Sequence, residues 1–558
     1  MKRSDYPTCF GLTKQLLVGS GRPDDVTETS QPTVPLCRHL ASSLLSFGIH
    51  HPDEAVAVLN SVPPAASVQK VFNHLLLLTL FGQRLQFNER YLCTLVSALA
   101  FSYAQNYHSE TSSGTPVGQL HKQETALWHE VVQLRRLIAH PTPVKALGPP
   151  RLSDSQRWIL ISLVMLSGSP DQNLFELITI LPVRFQKSLA HLIAYPLGSM
   201  VGMTVKADST RWLVVSQTDE KTYRIAQLHS ANMDSIRSVH REQIECLGPA
   251  SFKQWQNKNQ LAHREFERPS QDWPVKRAYK INSPPIYLRT IISLLQDDNA
   301  NIDTIASKII QHTELADFLM SSASRDNRLQ LAVNDIKQAI MTFGLERISD
   351  MLIQRALSTR LHQKYFPLRT VCAHLETIIA GVASQLAALS PHKVSPQNTS
   401  LLATFSTAPL FTLPALKLSK TIQVSNKNTY DINTLALQHH TQTIGQMAVE
   451  LARGWQQSDC FIGILSQWGK LPSHCPKAYR VAYSILIISV CWSRKWLFGI
   501  HGQCPQTDIA VQEALSFSGL NNQTEMIVLA TMSHLVFSPE IDGKLSAISR
   551  IYSGNSVY

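Results

Sequence analysis

Residues 283–324 read SPPIYLRTIISLLQDDNANIDTIASKIIQHTELADFLMSSAS. After Pro284 and Pro285, three apolar-patterned runs follow: IYLRTIISLLQ, NIDTIASKIIQ and TELADFLMSSAS. Their spacing predicts three helices in succession. Helical patterning then persists to about Leu535, through VNDIKQAIMTFGLERISDMLIQRALSTRL, CAHLETIIAGVASQLAAL, HHTQTIGQMAVELARGW, SDCFIGILSQW and KAYRVAYSILIISVCW. No repeat of about 20–50 residues runs through these segments, which argues against a solenoid.

Upstream of Pro284 the composition changes twice. Residues 251–289 hold eight basic side chains against three acidic ones, a local net of +5, together with four prolines. This segment reads as a basic linker. Before it, YPLGSMVGM, RWLVVSQT and TYRIAQLH are β-rich runs broken at Asp208-Ser209 and Asp219-Glu220, so a small β module is expected from about Tyr195 to Leu247. Val34 to about Ala194 is helical in pattern. VQKVFNHLLLLTLFGQRL and ERYLCTLVSALAFSYAQNY are apolar nearly all round, as central helices are. Residues 1–33, with GSGRPDD and TETSQPT, read as a flexible leader.

The chain has 558 residues and a net charge of +11, from 51 Lys+Arg and 40 Asp+Glu. Hydrophobic residues are 44% and charged ones only 16%, so the excess is a modest one on a weakly charged surface. Composition excludes a collagen, a coiled coil and a small disulfide scaffold, and does not choose between an enzyme and a regulatory scaffold. Nine cysteines without a C-x-x-C pair fit a reducing cytosol. The start, MKRSDYPTCFGLTKQ, has no apolar core of a secretory signal. Leu75–Phe81 and Val481–Trp492 are apolar but short of the ~20 residues of a spanning helix. Both are expected to be buried core helices, with no transmembrane segment and a cytoplasmic location.

Chemistry-bearing motifs are sparse. His50-His51 and His439-His440 are adjacent pairs, whose side chains on a helix point about 100° apart and seldom share an ion. His474-Cys475 with His501 and Cys504 offers four ligands of a type that zinc takes. About 25 residues of apolar helix separate the two pairs, however, so loop residues flanking a helix is the reading adopted. No G-x-S-x-G, G-x-x-x-x-G-K-[ST] or G-x-G-x-x-G occurs. The basic linker remains, with Lys253, Lys258, Arg264, Arg268, Lys276, Arg277 and Lys280 as candidate contacts for an anionic ligand or nucleic acid. Trp255, Phe266, Trp273 and Tyr279 lie among them, a mixture that can stack bases.

From Pro284 the chain resembles an HDOD domain, the helical regulatory relative of HD-family phosphohydrolases found in bacterial signalling proteins. The Pro-rich lead-in and acidic turn of residues 283–324 carry the likeness, with the step at Gly344 in VNDIKQAIMTFGLERISDMLIQRAL. HHTQTIGQMAVELARGW and FIGILSQW complete it. The first half more faintly resembles an HD-GYP phosphodiesterase, most specifically at Tyr195, Pro196, Gly198, Ser199 and Val201 before the β module. HD enzymes hold divalent metals with a His-Asp pair and further His and Asp residues. This chain has no His-Asp dipeptide. The corresponding positions hold Phe101 and Ser102 in the first half, and Thr407 and Ala408 in the second. His74 falls near the family's first histidine and reads as a satisfied core residue.

The expected fold class is mainly α: two HD-superfamily-like helical modules with a small β module between them. The expected domains are a leader (1–33), a degenerate HD-GYP-like domain (34–195), the β module (196–250), the linker (251–283) and an HDOD-like domain (284–558). The resemblance implies a non-catalytic bacterial signalling or regulatory scaffold. It would bind protein partners or a small-molecule ligand, with no catalytic residues, metal ligands, cofactor or membrane association. A divergent cyclic-dinucleotide phosphodiesterase and a nucleic-acid-associated regulator using the basic linker are the alternatives.

Overall fold

The computed structural model describes residues 5–18, 33–61, 67–107, 120, 122–134, 152–167, 170–228, 236–262, 273–297, 299–326, 332–435, 442–499, 504–536 and 549–552. The chain is mainly helical and forms two compact units. The first is Met1–Ala278 with Lys364–Phe366, and the second is Tyr279–Gln363 with Pro367–Tyr558. The division falls at 278/279, a few residues before the expected boundary.

In the first unit, helices α1 (Tyr6–Val18), α2 (Val34–His50), α3 (Pro52–Ser61), α4 (Ser67–Arg84) and α5 (Glu89–Tyr107) are followed by α6 (Lys122–Gln133), α7 (Asp154–Leu166), α8 (Pro170–Ile180) and α9 (Val183–Ile193). α4 is buried along nearly its whole length, as its unbroken apolar pattern requires. α7 starts at a reciprocal cap. Gln156 N–H donates to Ser153 Oγ (3.2 Å), and Ser153 N–H donates to Gln156 Oε1 (2.9 Å).

Strands β1 (Met203–Ala207), β2 (Thr210–Gln217), β3 (Thr222–Gln227), β4 (Ile236–His240) and β5 (Glu245–Pro249) form one antiparallel sheet in the order β4-β3-β2-β1-β5. The two turns expected from sequence are present and have a physical basis. Asp208 and Ser209 join paired Ala207 and Thr210 with φ of 47° and 65°, the left-handed pair that a two-residue hairpin demands. The Asp219 carboxylate accepts from the N–H groups of Lys221 and Thr222, both at 2.9 Å. Gly202 (φ +85°) lies where a Cβ would stand 2.9 Å from the Ala57 backbone, so α3 and the sheet approach at a glycine.

Two expectations need correction. The leader over 1–33 contains α1, whose Cys9, Thr13, Leu16 and Leu17 are buried. Tyr6 and Phe10 pack their rings on Phe72, and Tyr6 also meets Phe252. The apolar stripe is short, and the polar composition after it masked it. The linker over 251–283 begins as helix α10 (Phe252–Ala262), anchored by Trp255, which is 1% exposed and donates through Nε1 to Val215 O (3.1 Å). Residues 263–272 of the linker lie outside the described residues.

α3 is fastened to the sheet by a buried carboxyl: Gln217 N–H donates to Asp53 Oδ1 at 3.2 Å. Burial pushes Asp53 up to about 7, against the lowering pull of that hydrogen bond and of Arg224.

The second unit runs through α11 (Ile286–Leu295), α12 (Ile302–Ile310), α13 (Thr313–Asp326), α14 (Ile336–Phe343), α15 (Leu345–Leu361), α16 (Arg369–Leu389) and α17 (Pro396–Thr407). Strand β6 (Ile422–Ser425), α18 (Ile444–Gly454), α19 (Asp459–Leu465), α20 (Lys477–Phe498), α21 (Pro505–Ser518), α22 (Gln523–Val536) and β7 (Ser549–Tyr552) complete it. α14 and α15 meet at Gly344, whose φ of +77° breaks the helix at the step expected there. α16 and α20 are the two helices, among the described residues, long and apolar enough to cross a membrane. Most of the apolar window of each is buried inside the protein. α20 therefore extends well beyond the twelve-residue run read from sequence, and it carries a fully buried arginine.

That residue, Arg494, is 0% exposed. Its Nη1 donates to Thr429 O (3.1 Å), Asp431 O (3.3 Å) and Thr434 Oγ1 (2.8 Å), and its Nη2 to Ser425 O (2.7 Å) and Thr434 O (3.2 Å). Residues 425–434 are thus folded around one guanidinium.

Two outcomes are expected. Arg494→Leu strands those carbonyls without donors and lowers stability by about 3–5 kcal/mol in denaturant titration, and Arg494→Lys recovers less than half because an ammonium lacks the fork. At the other site, a carboxyl with a raised folded pKa stabilises fully below its unfolded value near 3.8, and that contribution is lost as pH rises through about 7. Asp53→Asn, which keeps the acceptor, should therefore raise the melting temperature at pH 8 and leave it nearly unchanged at pH 4.

Candidate functional site

In the first unit, α4, α5 and α7 bring His74, Tyr103 and Ser162 together. His74 is 1% exposed. Its Nε2 faces Ile159 O (3.0 Å) and Ser162 Oγ (2.9 Å), and its Nδ1 faces Tyr103 OH (2.6 Å). A carbonyl only accepts, so Nε2 carries the hydrogen and the Nδ1 lone pair accepts a hydrogen bond from the Tyr103 O–H. Burial pushes the imidazole down to about 4, so the ring is neutral, and neither nitrogen has a lone pair to offer a metal.

Phe101 and Ser102 immediately precede Tyr103 on α5. The Phe101 ring packs at 5.4 Å on Trp128, which is fully buried. Ser102 donates back to Ala98 O (2.9 Å). Both positions are filled.

In the second unit, the corresponding end of α17 is closed in a different way. Thr407 and Ala408 are 0% exposed, and Thr407 Oγ1 shares its hydrogen between Ala403 O and Thr404 O, both at 3.1 Å. Ser406 donates to Leu402 O (2.9 Å) and receives the Trp468 indole N–H (3.3 Å). Gln354 donates to Ser400 Oγ (3.0 Å) and Thr404 Oγ1 (2.8 Å). The hydroxyls are satisfied within the protein.

Beside them lies a charged cluster that the sequence reading missed. Glu376 on α16, 4% exposed, accepts from Ser358 Oγ at 2.6 Å through one oxygen and meets His362 Nε2 at 2.8 Å through the other. His362 packs at 5.0 Å against Phe411. The buried Lys417 ammonium donates to Phe411 O, and burial pushes it down to about 8. Burial pushes the nearby Cys372 thiol up to about 12, so it behaves as an inert apolar group. The carboxylate stands between the serine and the histidine, so the histidine is not placed to activate the hydroxyl as a nucleophile. The signal in sequence was a lone acid on an otherwise apolar helix, ETIIAGVASQLAAL.

Among the described residues, no three His, Cys, Asp or Glu side chains gather as a metal site. His51 lies 3.8 Å from Glu54 and 4.0 Å from Asp5. Cys475 is buried. His439, His440 and His501 fall outside the described residues.

The basic candidates separate. Lys253 is exposed and Lys258 half-buried on α10, five residues apart and hence on diverging faces. Lys276 and Arg277 are exposed in the first unit and Lys280 in the second, while Arg264 and Arg268 lie outside the described residues. Two of the aromatics read as base-stacking candidates are committed inside the first unit. Trp255 is buried under the sheet, and Trp273 lies beneath the Arg84 guanidinium at 4.8 Å and against Tyr195. Tyr279, in the second unit, is 60% exposed.

Comparison with known proteins gives one family match: residues 281–467 fit the HDOD domain. An HDOD domain protein with unknown function from Geobacter sulfurreducens is similar in structure, at 13% identity over 49% of this chain and 94% of that chain, with a TM-score of 0.33. The MmoQ response regulator from Methylococcus capsulatus is similar at 14% identity over 45% of this chain and 98% of that chain, with a TM-score of 0.24. No curated protein matches. The second unit therefore carries an HDOD domain, over residues 281–467.

Proposed function

We propose that the chain is a non-catalytic regulatory protein of a bacterial cytoplasm, binding a protein partner or a small ligand through the helical surfaces of its HDOD domain. In this reading the first unit is a degenerate HD-GYP-like module. The observation that carries it is the filling of both positions where an HD enzyme would hold metal. Phe101 packs on Trp128, His74 spends both ring nitrogens on protein groups, and Thr407 is sealed among internally bonded hydroxyls. Water activation by a bound cation needs open coordination sites and unpaired ligand atoms, and these positions supply neither.

The rival is a metal-dependent cyclic-dinucleotide phosphodiesterase. Elemental analysis of the purified full chain, followed by assay with cyclic dinucleotides and added Mn²⁺, separates the two. The regulatory reading expects substoichiometric metal and no turnover. Stoichiometric metal with hydrolysis would overturn it.

A second test uses His74. Its folded pKa lies below the unfolded value of 6.5, so its contribution to stability is full above that pH and is lost as pH falls toward 4. His74→Gln should flatten the acid limb of the stability–pH curve and cost about 1–3 kcal/mol at pH 7.5. Metal content should stay the same. A fall in bound metal in the variant would mark His74 as a ligand.

A further inference from the structure

Among the described residues, two arginines of the second unit are buried, and they are used in opposite ways. Arg494 spends five hydrogen bonds on the segment it holds. Arg360, near the end of α15, is 6% exposed, yet among the described residues it makes one hydrogen bond and no ion pair. That bond runs from Nη1 to Ala356 O (3.2 Å), a carbonyl one turn back on the same helix. It fastens no second element. The Nε atom is buried without a partner.

The face of this guanidinium is stacked, and most of its in-plane donors are unused. The Tyr279 ring centroid lies 5.1 Å from Arg360 Cζ, and the tyrosine is 60% exposed. Its backbone is clasped: Tyr279 N–H donates to Gln363 Oε1, and Gln363 Nε2 donates to Tyr279 O, both at 2.7 Å. Two residues on, Trp455 Nε1 donates to Ile281 O (2.7 Å). The strap that carries Tyr279 is thus fixed by its main chain, while an exposed ring is free to change rotamer. A cation–π contact uses the guanidinium face, and the N–H donors point outward in its plane. With Nη1 turned to Ala356, the Nε–H and Nη2–H pair remains. That pair is the parallel fork that grips two oxygens of one acid group.

A buried charge with unused donors is costly to a fold that gains nothing else from it. An acid group seated on the fork offsets that cost. We propose that Arg360 anchors an oxyanion site in the HDOD domain, taking the phosphate or carboxylate group of a small ligand on Nε and Nη2, with the Tyr279 ring as its movable cover. Arg360 lies inside residues 281–467, and Tyr279 just before them. An acid-binding site serves a regulator and an enzyme equally, so the proposal does not rest on the regulatory reading.

The test uses the full chain as wild type, Arg360→Met, Arg360→Lys and Tyr279→Ala. Thermal unfolding is followed near neutral pH in inorganic phosphate, in acetate and in chloride, all at one ionic strength. Phosphate, acetate or both should raise the wild-type melting temperature above that in chloride, by at least ~2 °C at about ten times the dissociation constant. Which of them does so names the acid group. By calorimetry, Arg360→Met should bind that anion at least ~10-fold more weakly. Arg360→Lys, which keeps the charge without the fork, should fall between the two. Tyr279→Ala uncovers the fork and keeps it, so it should bind no more weakly than wild type. In chloride alone, Arg360→Met should melt no lower than wild type, because it replaces a buried charge by an apolar chain of similar length. A wild type that melts alike in all three salts would overturn the proposal. So would undiminished binding by Arg360→Met, loss of binding in Tyr279→Ala, or a lower melting temperature of Arg360→Met in chloride, which would mark the arginine as held for the fold.

Discussion

One buried guanidinium organises the end of the second unit. A charge with no exposure is costly unless its donors are used, and Arg494 uses its two terminal nitrogens on four carbonyls and a hydroxyl between Ser425 and Thr434. Its pKa falls to about 10 under burial and still lies far above neutrality, so the charge persists. This has two effects. A ten-residue segment with little apolar content is given a single conformation, and α20 is kept in register with that segment although its apolar faces alone would tolerate slippage. The nearby Asp431 carboxyl is raised by burial and lowered by Arg494, so the local field is shared with the loop it holds.

Phe101 in the first unit and Thr407 in the second are enclosed by different means. In the first, an aromatic pair and an imidazole with both nitrogens engaged occupy the space. In the second, threonine and serine side chains turn back on their own helix carbonyls. Neither solution presents a free imidazole nitrogen or a carboxylate to a cation. The first solution introduces a group that resists protonation, and the sheet fastening at Asp53 introduces one that resists ionisation. As pH rises from about 4 to 6.5 the contribution of His74 grows while that of Asp53 shrinks, so the two largely offset each other within the first unit.

How much of this was legible in sequence depended on whether the signal was local. The HDOD half was readable because Pro284-Pro285, the Gly344 step and the successive apolar runs are local features that tertiary contacts reinforce. The hairpin at Asp208-Ser209 was readable because a two-residue connection demands left-handed backbone. α1 was not, because its stripe of Cys9, Thr13, Leu16 and Leu17 lies before a long polar stretch and gains its meaning from distant Phe47, Phe72 and Phe252. Trp255 was taken for a linker aromatic for the same reason: its partner is Val215 O, forty residues away. Within the sequence itself, the absence of a His-Asp dipeptide was plain. The Glu376–His362–Lys417 cluster was not, since only folding brings α15, α16 and the segment after α17 together.

The docking of α1 also has a consequence in time. The Tyr6 ring is met at 5.0 Å by Phe252, about 250 residues later in the chain. At roughly 5–20 residues per second, this first helix waits on the order of tens of seconds before all the side chains that cover it have been synthesised. During that interval its apolar face is available to whatever else binds nascent chains.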